Sequence, residues 1–282
     1  MKLYRIVSLE SFMDILLNNR ERYVRPSSWD DCYESYLLQE LDDRNSRKAL
    51  ITELYNTVSP QNYITVVRNF MLLWHAKHWA YAQCWSKTSD SDAMWRIYSY
   101  GKHSIQISST RDLIIKMIKD SDHNGKCFNK GVKYDVDTSI DVFRDQILGV
   151  KKTLNPYEPY FHKRSAFDHE KEYRFLIDDY QKTIIAKLCG DMALFKLDVR
   201  DKTDREIIDC LCEAIEGSLD SYNKVKDEIA ISKYLKIGDL SQYITEVRVN
   251  PFAESWYVDL VETLCKQKNL NFGGKSQLYT RT

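Results

Sequence analysis

Apolar and polar positions at the start of the chain predict a strand, a helix and a second strand in immediate succession. Residues 3–7 form a run typical of a β-strand, and Ser8 is a good N-cap for a following helix. One apolar stripe runs along that helix at Leu9, Phe12, Ile15 and Leu16. Residues 18–19 end the helix, and residues 22–25 are the next strand candidate. The chain therefore opens with a strand–helix–strand unit.

The rest of the chain mixes short β-like runs with amphipathic segments. Further strands are predicted at residues 81–86, 104–107, 130–136, 170–177, 194–197 and 243–249. Helices are predicted at residues 35–55, 61–80, 93–98, 110–119, 141–154, 204–218 and 253–267. Because the regular strand–helix alternation of a parallel sheet is missing, we expect an α+β fold with a mostly antiparallel sheet. We expect one domain over residues 1–282, with a helical insertion at about 35–80.

The charges of the chain balance, with 41 lysine and arginine residues against 41 aspartate and glutamate residues. A balanced chain has no general attraction to nucleic acid or to an anionic membrane. No apolar run reaches membrane-spanning length, and residues 1–5 lack the apolar core of a signal peptide. The 7 cysteines are scattered and odd in number, which favours reduced thiols. We therefore expect a cytoplasmic protein that does not associate with membranes.

The most informative segment is residues 169–177, in which two glutamates precede an aromatic and β-branched run. On a strand, residues two positions apart point to the same face, so we expect Glu170 and Glu172 to lie side by side. Two acids held close together disfavour joint ionisation, and chains tolerate such pairs where a cation or a reaction needs them. The alternative interpretation is a solvated edge strand whose acids pair with Lys171 or Arg174.

Two earlier segments, each on a predicted strand, carry residues that suit the same chemistry. Tyr4 and Arg5 lie on the opening strand, where an arginine either pairs with a surface acid or binds phosphate as a planar fork. Ser86 ends the strand at 81–86, and Thr88 follows two residues later. Hydroxyls at such a position either cap the strand or orient a neighbouring acid.

The order of these residues (arginine, serine-x-threonine, glutamate-x-glutamate) resembles the arginine–serine–glutamate class of ADP-ribosyltransferases. The opening unit, which ends at Arg25, resembles the strand–helix–strand that encloses the nicotinamide cleft in that class. The resemblance implies a split sheet with inserted helices, and transfer of ADP-ribose from NAD to a macromolecule, either protein or nucleic acid. Glu172 would stabilise the ribosyl cation, and Glu170 would position the acceptor. The implied NAD-binding residues are Tyr4, Arg5, Arg25, Ser86 and Thr88.

Blocks along nearly the whole chain also resemble a bacterial family known as domain of unknown function twenty-nine seventy-one. They are residues 4–5 with the helix that follows, 27–34, 84–86 with 94–98, 132–134, 170–174 and 247–279. The chain departs from the family at residues 30–32, where Asp-Asp-Cys replaces the usual Asn-Asp-Pro. Members of the family resemble proteins of bacterial toxin and anti-phage loci. This resemblance implies a defence or toxin effector with an antitoxin or defence-system partner.

Two other functions stay open from the sequence. Asp30, Asp31 and Glu34 could join the two glutamates of residues 170–172 in the acidic cluster of a metal-dependent nuclease. Acids at a turn before a helix, where they favour the helix dipole, give the same pattern. A non-enzymatic binding or sensor module, in which the acids serve only structure, is the remaining alternative. Transfer from NAD needs no metal, because a guanidinium can neutralise the pyrophosphate, so no metal site is predicted.

Overall fold

The computed structural model describes residues 1–29, 31, 34, 36–57, 63–135, 154–179, 201–226 and 229–280. The strand predicted at 194–197 lies outside these residues, as does the helix predicted at 141–154 except for its last residue. Asp30, which belongs to the alternative nuclease cluster, is also outside them.

The described strands and helices alternate irregularly along the chain. The strands are β1 Lys2–Ser8, β2 Arg20–Val24, β3 Ala80–Ser86, β4 Ser104–Thr110, β5 Cys127–Gly131, β6 Glu172–Asp178, β7 Ser232–Lys236, β8 Glu246–Val249 and β9 Phe272–Lys275. The α-helices are α1 Leu9–Asn18, α2 Tyr36–Glu40, α3 Arg44–Thr57, α4 Tyr63–Trp79, α5 Asp92–Tyr98, α6 Arg111–Asp120, α7 Asp204–Lys226, α8 Leu240–Tyr243 and α9 Ser255–Gln267. Short 3₁₀ segments lie at Pro26–Ser28, Tyr100–Lys102, Glu158–Phe161 and Ser165–Glu170.

Local signals placed the first elements correctly. The hydroxyl of Ser8 accepts a hydrogen bond from the backbone N–H of Ser11 at 3.2 Å and caps α1. Asn19 ends α1 in the left-handed conformation, with φ of 47°. Thr110 caps α6 in the same way as Ser8 caps α1, by accepting from the N–H of Leu113 at 3.3 Å. The strand–helix–strand unit predicted at the N-terminus is therefore confirmed.

Three predicted elements differ from the structure. The helix predicted at 35–55 is two helices, because Asp43 accepts from the N–H of Ser46 at 2.8 Å and so caps a new start at α3. The strand predicted at 130–136 lies earlier, at β5. The strand predicted from residue 243 begins at Glu246, because Asp239 caps the short helix α8. In each case a side-chain cap or a pairing partner, rather than the apolar pattern, set the boundary.

The described strands form one sheet in the order β5-β6-β3-β1-β4-β8-β9, with β2 and β7 branching from β3. Every pair along the sheet is antiparallel except β8 with β9, which is parallel. The fold is α+β with a mixed, largely antiparallel sheet, as the sequence predicts.

The sheet divides at β3. One edge of β3 pairs with β6 along its whole length, from Ala80 to Ser86. On the other edge, Ala82 pairs with Val24 of β2, and Ser86 pairs with Tyr4 of β1. Two strands therefore share one edge of β3 and diverge from each other, which opens a gap in the sheet between β1 and β2.

Two hydrophobic cores cover the two faces of the sheet. The first core is formed mainly by α2, α3, α4 and α7, and the second by α1, α6 and α9. Strand β6 shows the alternation clearly, because Leu176 packs into the first core while Phe175 and Ile177 pack into the second. Glu172 and Arg174 lie on the same face of β6 as Leu176, so two charged side chains enter the sheet face that carries the first core.

Candidate active site at the gap in the sheet

A cavity of about 580 Å³ lies where β1, β2 and β3 diverge. The strands contribute Tyr4, Arg5, Ile6, Arg22, Val24 and Ala82 through Ser86 to its lining. The segments around them contribute Ser28, Trp29, Asp31, Glu34, Met94, Tyr98, Lys163, Phe167, Glu170, Glu172 and Arg174. Five of the seven site residues that the sequence predicts line this one cavity, namely Tyr4, Arg5, Ser86, Glu170 and Glu172.

Three of these residues form a row across the sheet. Tyr4 pairs with Ser86, and Ser86 pairs with Glu172, so the three side chains lie on one face of three adjacent strands. The sequence assigns both Tyr4 and Arg5 to the cofactor, but a one-residue step along a strand reverses the face. The register therefore sets Tyr4 beside the catalytic candidate and turns Arg5 to the opposite face.

Glu170 does not lie on the strand, so the expectation that both glutamates project from one β-strand is wrong. The 3₁₀ segment ends at Glu170, Lys171 is left-handed with φ of 45°, and β6 begins at Glu172. Glu170 and Glu172 are 5 % and 3 % exposed, and both line the cavity. The exposed Lys171 turns away and pairs with Asp168 at 2.6 Å. The two acids therefore converge because of a backbone kink between them, not because of strand periodicity.

Arg174 fixes Glu172 on β6. Its guanidinium donates from Nε to Glu172 Oε1 at 2.7 Å and from Nη2 to Glu172 Oε2 at 2.9 Å. The remaining N–H groups donate to both carboxylate oxygens of Glu34 and, at 2.6 Å, to the carbonyl of Tyr160. Arg174 is 1 % exposed and lies 4.6 Å from the ring of Trp29. Each of its five N–H donors thus has an acceptor.

Lys163 is the second cation of the cluster. Its ammonium lies 2.7 Å from Glu170 Oε2, 3.0 Å from Glu34 Oε1 and 3.7 Å from Glu172 Oε2. Burial alone would raise the pKa of Glu172, but the charges of Arg174 and Lys163 outweigh burial and lower that pKa. The hydroxyl of Tyr98 donates to Glu170 Oε1 at 2.8 Å, and burial beside Glu170 raises the pKa of that phenol. Tyr98 is therefore a neutral donor to Glu170.

The cluster carries an excess of negative charge. With all five groups ionised, the three glutamates at 34, 170 and 172 against Lys163 and Arg174 give a net charge of 2 − 3 = −1. The side chains of all five are at most 9 % exposed, so water screens this charge poorly. A cationic group in the cavity would therefore be stabilised.

Arg5 belongs to a different set of contacts. Its Nη2 donates to Glu21 Oε2 at 2.6 Å, and its guanidinium lies 5.0 Å from the ring of Trp85. Glu21 also accepts from Gln83 at 2.9 Å and from the hydroxyl of Tyr243 at 3.1 Å. These residues lie on the face of the second core, as the alternation of β1 requires.

Ser86 and Thr88 act on the backbone. The hydroxyl of Ser86 donates to the carbonyl of Glu170 at 2.8 Å and accepts from the backbone N–H of Thr88 at 3.1 Å. Ser86 therefore holds the end of the 3₁₀ segment against β3, next to the kink that aims Glu170. Thr88 is outside the cavity lining and contributes its N–H to this arrangement.

Arg25 does not line the cavity, so the structure does not bring it together with the other predicted site residues. It follows the last residue of β2 and precedes the 3₁₀ segment at Pro26–Ser28. Arg22, two positions inside the strand, lies on the same face as Val24 and lines the cavity in its place. Arg22 is exposed and donates from Nε to the hydroxyl of Ser232 at 2.8 Å.

Sequence reasoning assigned no role at the site to Lys163, Tyr98 or Arg22. Arg174 was considered only as a partner of the acids, for which its position two residues after Glu172 is the signal. Lys163 gives no such signal, because it lies between two 3₁₀ segments that no periodic pattern marks. Its position is set by Lys133, whose carbonyl accepts from the Lys163 N–H at 2.8 Å.

The described acids of the nuclease alternative line the same cavity, but their oxygens face cations of the protein. Among the residues that the structure describes, no group of three histidine, cysteine or acidic side chains has a geometry that could hold a metal ion. The carboxylates of Glu34, Glu170 and Glu172 are occupied by Lys163 and Arg174, and Asp31 pairs with Arg164 at 3.0 Å.

Comparisons with models of protein families, with curated proteins and with solved structures found no match to this chain. The two family resemblances stated above therefore stay predictions. Within the described part of the chain, no helix combines the length and the apolar character that crossing a membrane requires.

Proposed function

We propose that the protein transfers ADP-ribose from NAD to a macromolecular acceptor, with the cavity as the NAD site. The observation that carries this proposal is the row Tyr4–Ser86–Glu172 beside Glu170, in a buried cluster with a net charge of −1. These side chains come from three separate parts of the chain and line one cavity. They are Tyr4, Ser86, Glu170 and Glu172.

The chemistry of NAD cleavage suits a cavity that borders a cluster with an excess of carboxylates. The bond between ribose C1′ and the nicotinamide nitrogen breaks with both electrons going to nicotinamide, which leaves neutral, and positive charge develops on the ribose. A buried carboxylate stabilises that charge without reorganising solvent. The acceptor then attacks C1′ and releases a proton, so NAD⁺ and acceptor give ADP-ribosyl acceptor, nicotinamide and H⁺.

Glu172 can serve this cation while it stays bound to Arg174. A carboxylate has about four acceptor sites, and the bidentate contact with Arg174 uses two of them. Glu170, held by Tyr98 and Lys163, would face the acceptor. For the pyrophosphate, Arg22 is exposed at the cavity, and Arg5, which is bound to Glu21, also lines the cavity.

The size of the cavity supports a nucleotide ligand. Its volume of about 580 Å³ falls within the range of about 300–1,000 Å³ that small-molecule sites span. Trp29, Tyr98 and Phe167 add aromatic surface to the lining, which suits a planar ring. The resemblance to the bacterial family adds that the enzyme would act as a toxin or anti-phage effector, held in check by a partner.

The test is transfer of labelled NAD by purified protein in a cell lysate. Glu172→Gln keeps the shape of the side chain and removes its charge, so labelling should fall by about 100-fold or more. Glu262→Gln, at an exposed pair with Lys266 on α9, is the matched control and should label like the wild type. Equal labelling by wild type and Glu172→Gln would refute the role of Glu172.

A binding module is the second candidate, because every carboxylate in the cluster already has a hydrogen-bond partner. This candidate predicts calorimetric binding of NAD, with no labelling of protein or nucleic acid. Labelling that depends on Glu172 excludes it. Nucleic-acid cleavage that a chelator abolishes would instead favour the nuclease alternative.

A further inference from the structure

Lys163 occupies an unusually constrained place in the fold. Its backbone N–H donates to the carbonyl of Lys133 at 2.8 Å, and the N–H of Lys133 donates to the carbonyl of Phe161 at 2.9 Å. The preceding His162 is 1 % exposed, with Nδ1 2.6 Å from Asp135 and Nε2 3.2 Å from Glu158. The backbone around Lys163 is therefore fixed on both sides before its side chain makes any contact.

The ammonium of Lys163 joins all three acids of the cluster. It lies within 3.0 Å of Glu34 and Glu170 and 3.7 Å from Glu172, while Phe167 lies 4.4 Å away. An ammonium has three N–H donors, which matches the number of carboxylates around it. Arg174, by contrast, binds Glu172 and Glu34.

Removing this cation would change the charge of the cluster from −1 to 1 − 3 = −2. Like charges at such distances cannot all stay ionised, so one carboxyl group would take up a proton. Glu170 is the group expected to do so, because Lys163 is its one cationic contact among the described residues. Glu172 keeps the bidentate contact with Arg174.

We propose that Lys163 is the positioning residue that keeps Glu170 and Glu172 ionised together and directed at the cavity. The consequence for catalysis rests on the proposed transferase function, but the electrostatic role does not. The other titratable and charged groups that face the cluster are Arg174 on β6, Cys84 on β3, Tyr98 on α5, Tyr134 after β5, and the pair Asp31–Arg164.

The direct test is the titration of the two carboxyl groups by NMR, on protein labelled with ¹³C at the glutamate side-chain carboxyl. Glu170→Gln and Glu172→Gln assign the two signals. In Lys163→Met, the pKa of Glu170 should rise by about 1–3 units over the wild type. Lys171→Met is the matched control. Lys171 lies between the same two glutamates in the sequence, but its ammonium pairs with Asp168 and not with either of them. Its Glu170 and Glu172 curves should match those of the wild type.

Superimposable Glu170 curves in wild type and Lys163→Met would overturn the proposal. If Lys163→Met does not fold, Lys163→Met/Glu34→Gln restores the net charge to 1 − 2 = −1 and should recover folding. Glu170 has lost its cation in that variant too, so a wild-type titration of Glu170 there would equally overturn the proposal. Lys163→Arg keeps the charge and should keep the wild-type titration.

Activity gives the second readout. Protonated Glu170 cannot help to position a nucleophile. The acidic limb of the pH–kcat profile should therefore shift to higher pH in Lys163→Met, by as much as the pKa of Glu170 rises. A raised Glu170 pKa supports the role of Lys163 whether or not the protein transfers ADP-ribose. Absence of transfer by the wild type, with the titration shift present, would refute the proposed function and leave the role of Lys163 standing.

Discussion

Two buried ionic clusters lie on opposite faces of the sheet, and they differ in charge balance. On the face of the second core, Arg5 meets Glu21, and the neutral donors Gln83 and Tyr243 complete the contacts of the acid. On the cavity face, Lys163 and Arg174 meet three glutamates. The first cluster is neutral, and the second carries −1.

The difference separates a structural role from a functional one. A neutral ion pair has no electrostatic need for a charged ligand, and the Arg5–Glu21 pair serves to hold β1 against β2. A buried cluster with an extra carboxylate is electrostatically incomplete, and all five of its side chains line the cavity, whereas the acid of the first cluster, Glu21, does not. We therefore expect substitutions on the two faces to affect stability in different ways.

The largest stability effect should come from the arginines. Arg174→Met leaves two buried glutamates and a carbonyl without their donor, and should lower the free energy of unfolding by about 5 kcal/mol. Arg5→Met should cost about 3 kcal/mol, because Glu21 keeps the hydrogen bonds from Gln83 and Tyr243. Urea denaturation measures both losses. Arg248→Met, which breaks a partly exposed pair with Glu246, is the control, and its free energy of unfolding should stay within about 1 kcal/mol of the wild type. Equal losses for Arg174→Met and Arg5→Met would contradict the comparison.

The same amide substitution should have different effects on the two faces. Glu21→Gln leaves Arg5 as an unpaired buried cation and should destabilise by about 3 kcal/mol. Glu172→Gln brings its cluster from −1 to 2 − 2 = 0 but removes one of the two carboxylates that bind Arg174, so it should destabilise by only about 1 kcal/mol. Thermal and urea unfolding of the two variants check this contrast. A large loss in Glu172→Gln would show that the cavity cluster is as structural as the Arg5–Glu21 pair.

The smallest expected effect is on the stability of the protein at low pH. Because the folded protein lowers the pKa of Glu172, its contribution to stability is present above the unfolded value of about 4.3 and is lost as pH falls through the lower folded value. Glu158, whose pKa falls to about 2 through its contact with His162, loses its contribution over the same window. Urea unfolding between pH 6 and pH 2.5 should therefore show a shallower acid loss in Glu172→Gln than in wild type. Parallel curves for the two proteins would contradict it.

Short-range patterns predicted the opening unit well. Ser8, the apolar stripe of α1 and Asn19 are signals within a few residues of the elements they limit, so no distant contact was needed to place them. The helix predicted at 35–55 failed where a polar pair, Asp42 and Asp43, interrupts an otherwise helical pattern and Asp43 caps a new helix. Caps inside a long amphipathic stretch are the local signal that was missed.

Short-range patterns also predicted part of the site. Glu172, Ser86 and Tyr4 could be proposed from their strands, because each strand has a clear pattern. Arg25 lies outside the cavity lining, and β2 ends at Val24, one residue before the predicted end of the strand. Glu170 was correctly placed near Glu172, but the strand argument for it was wrong, since Lys171 is left-handed.

The sequence by itself determined the fold class, the first elements and the strand that carries Glu172, because periodicity and capping act over neighbouring residues. The tertiary structure alone determined which residues meet. The register that pairs Tyr4 with Ser86, and Ser86 with Glu172, set the face of every side chain in the gap, and turned Arg5 away from Glu172. The placement of Lys163 among three glutamates depends on a backbone contact with Lys133, and nothing in the pattern around residue 163 encodes that distant partner.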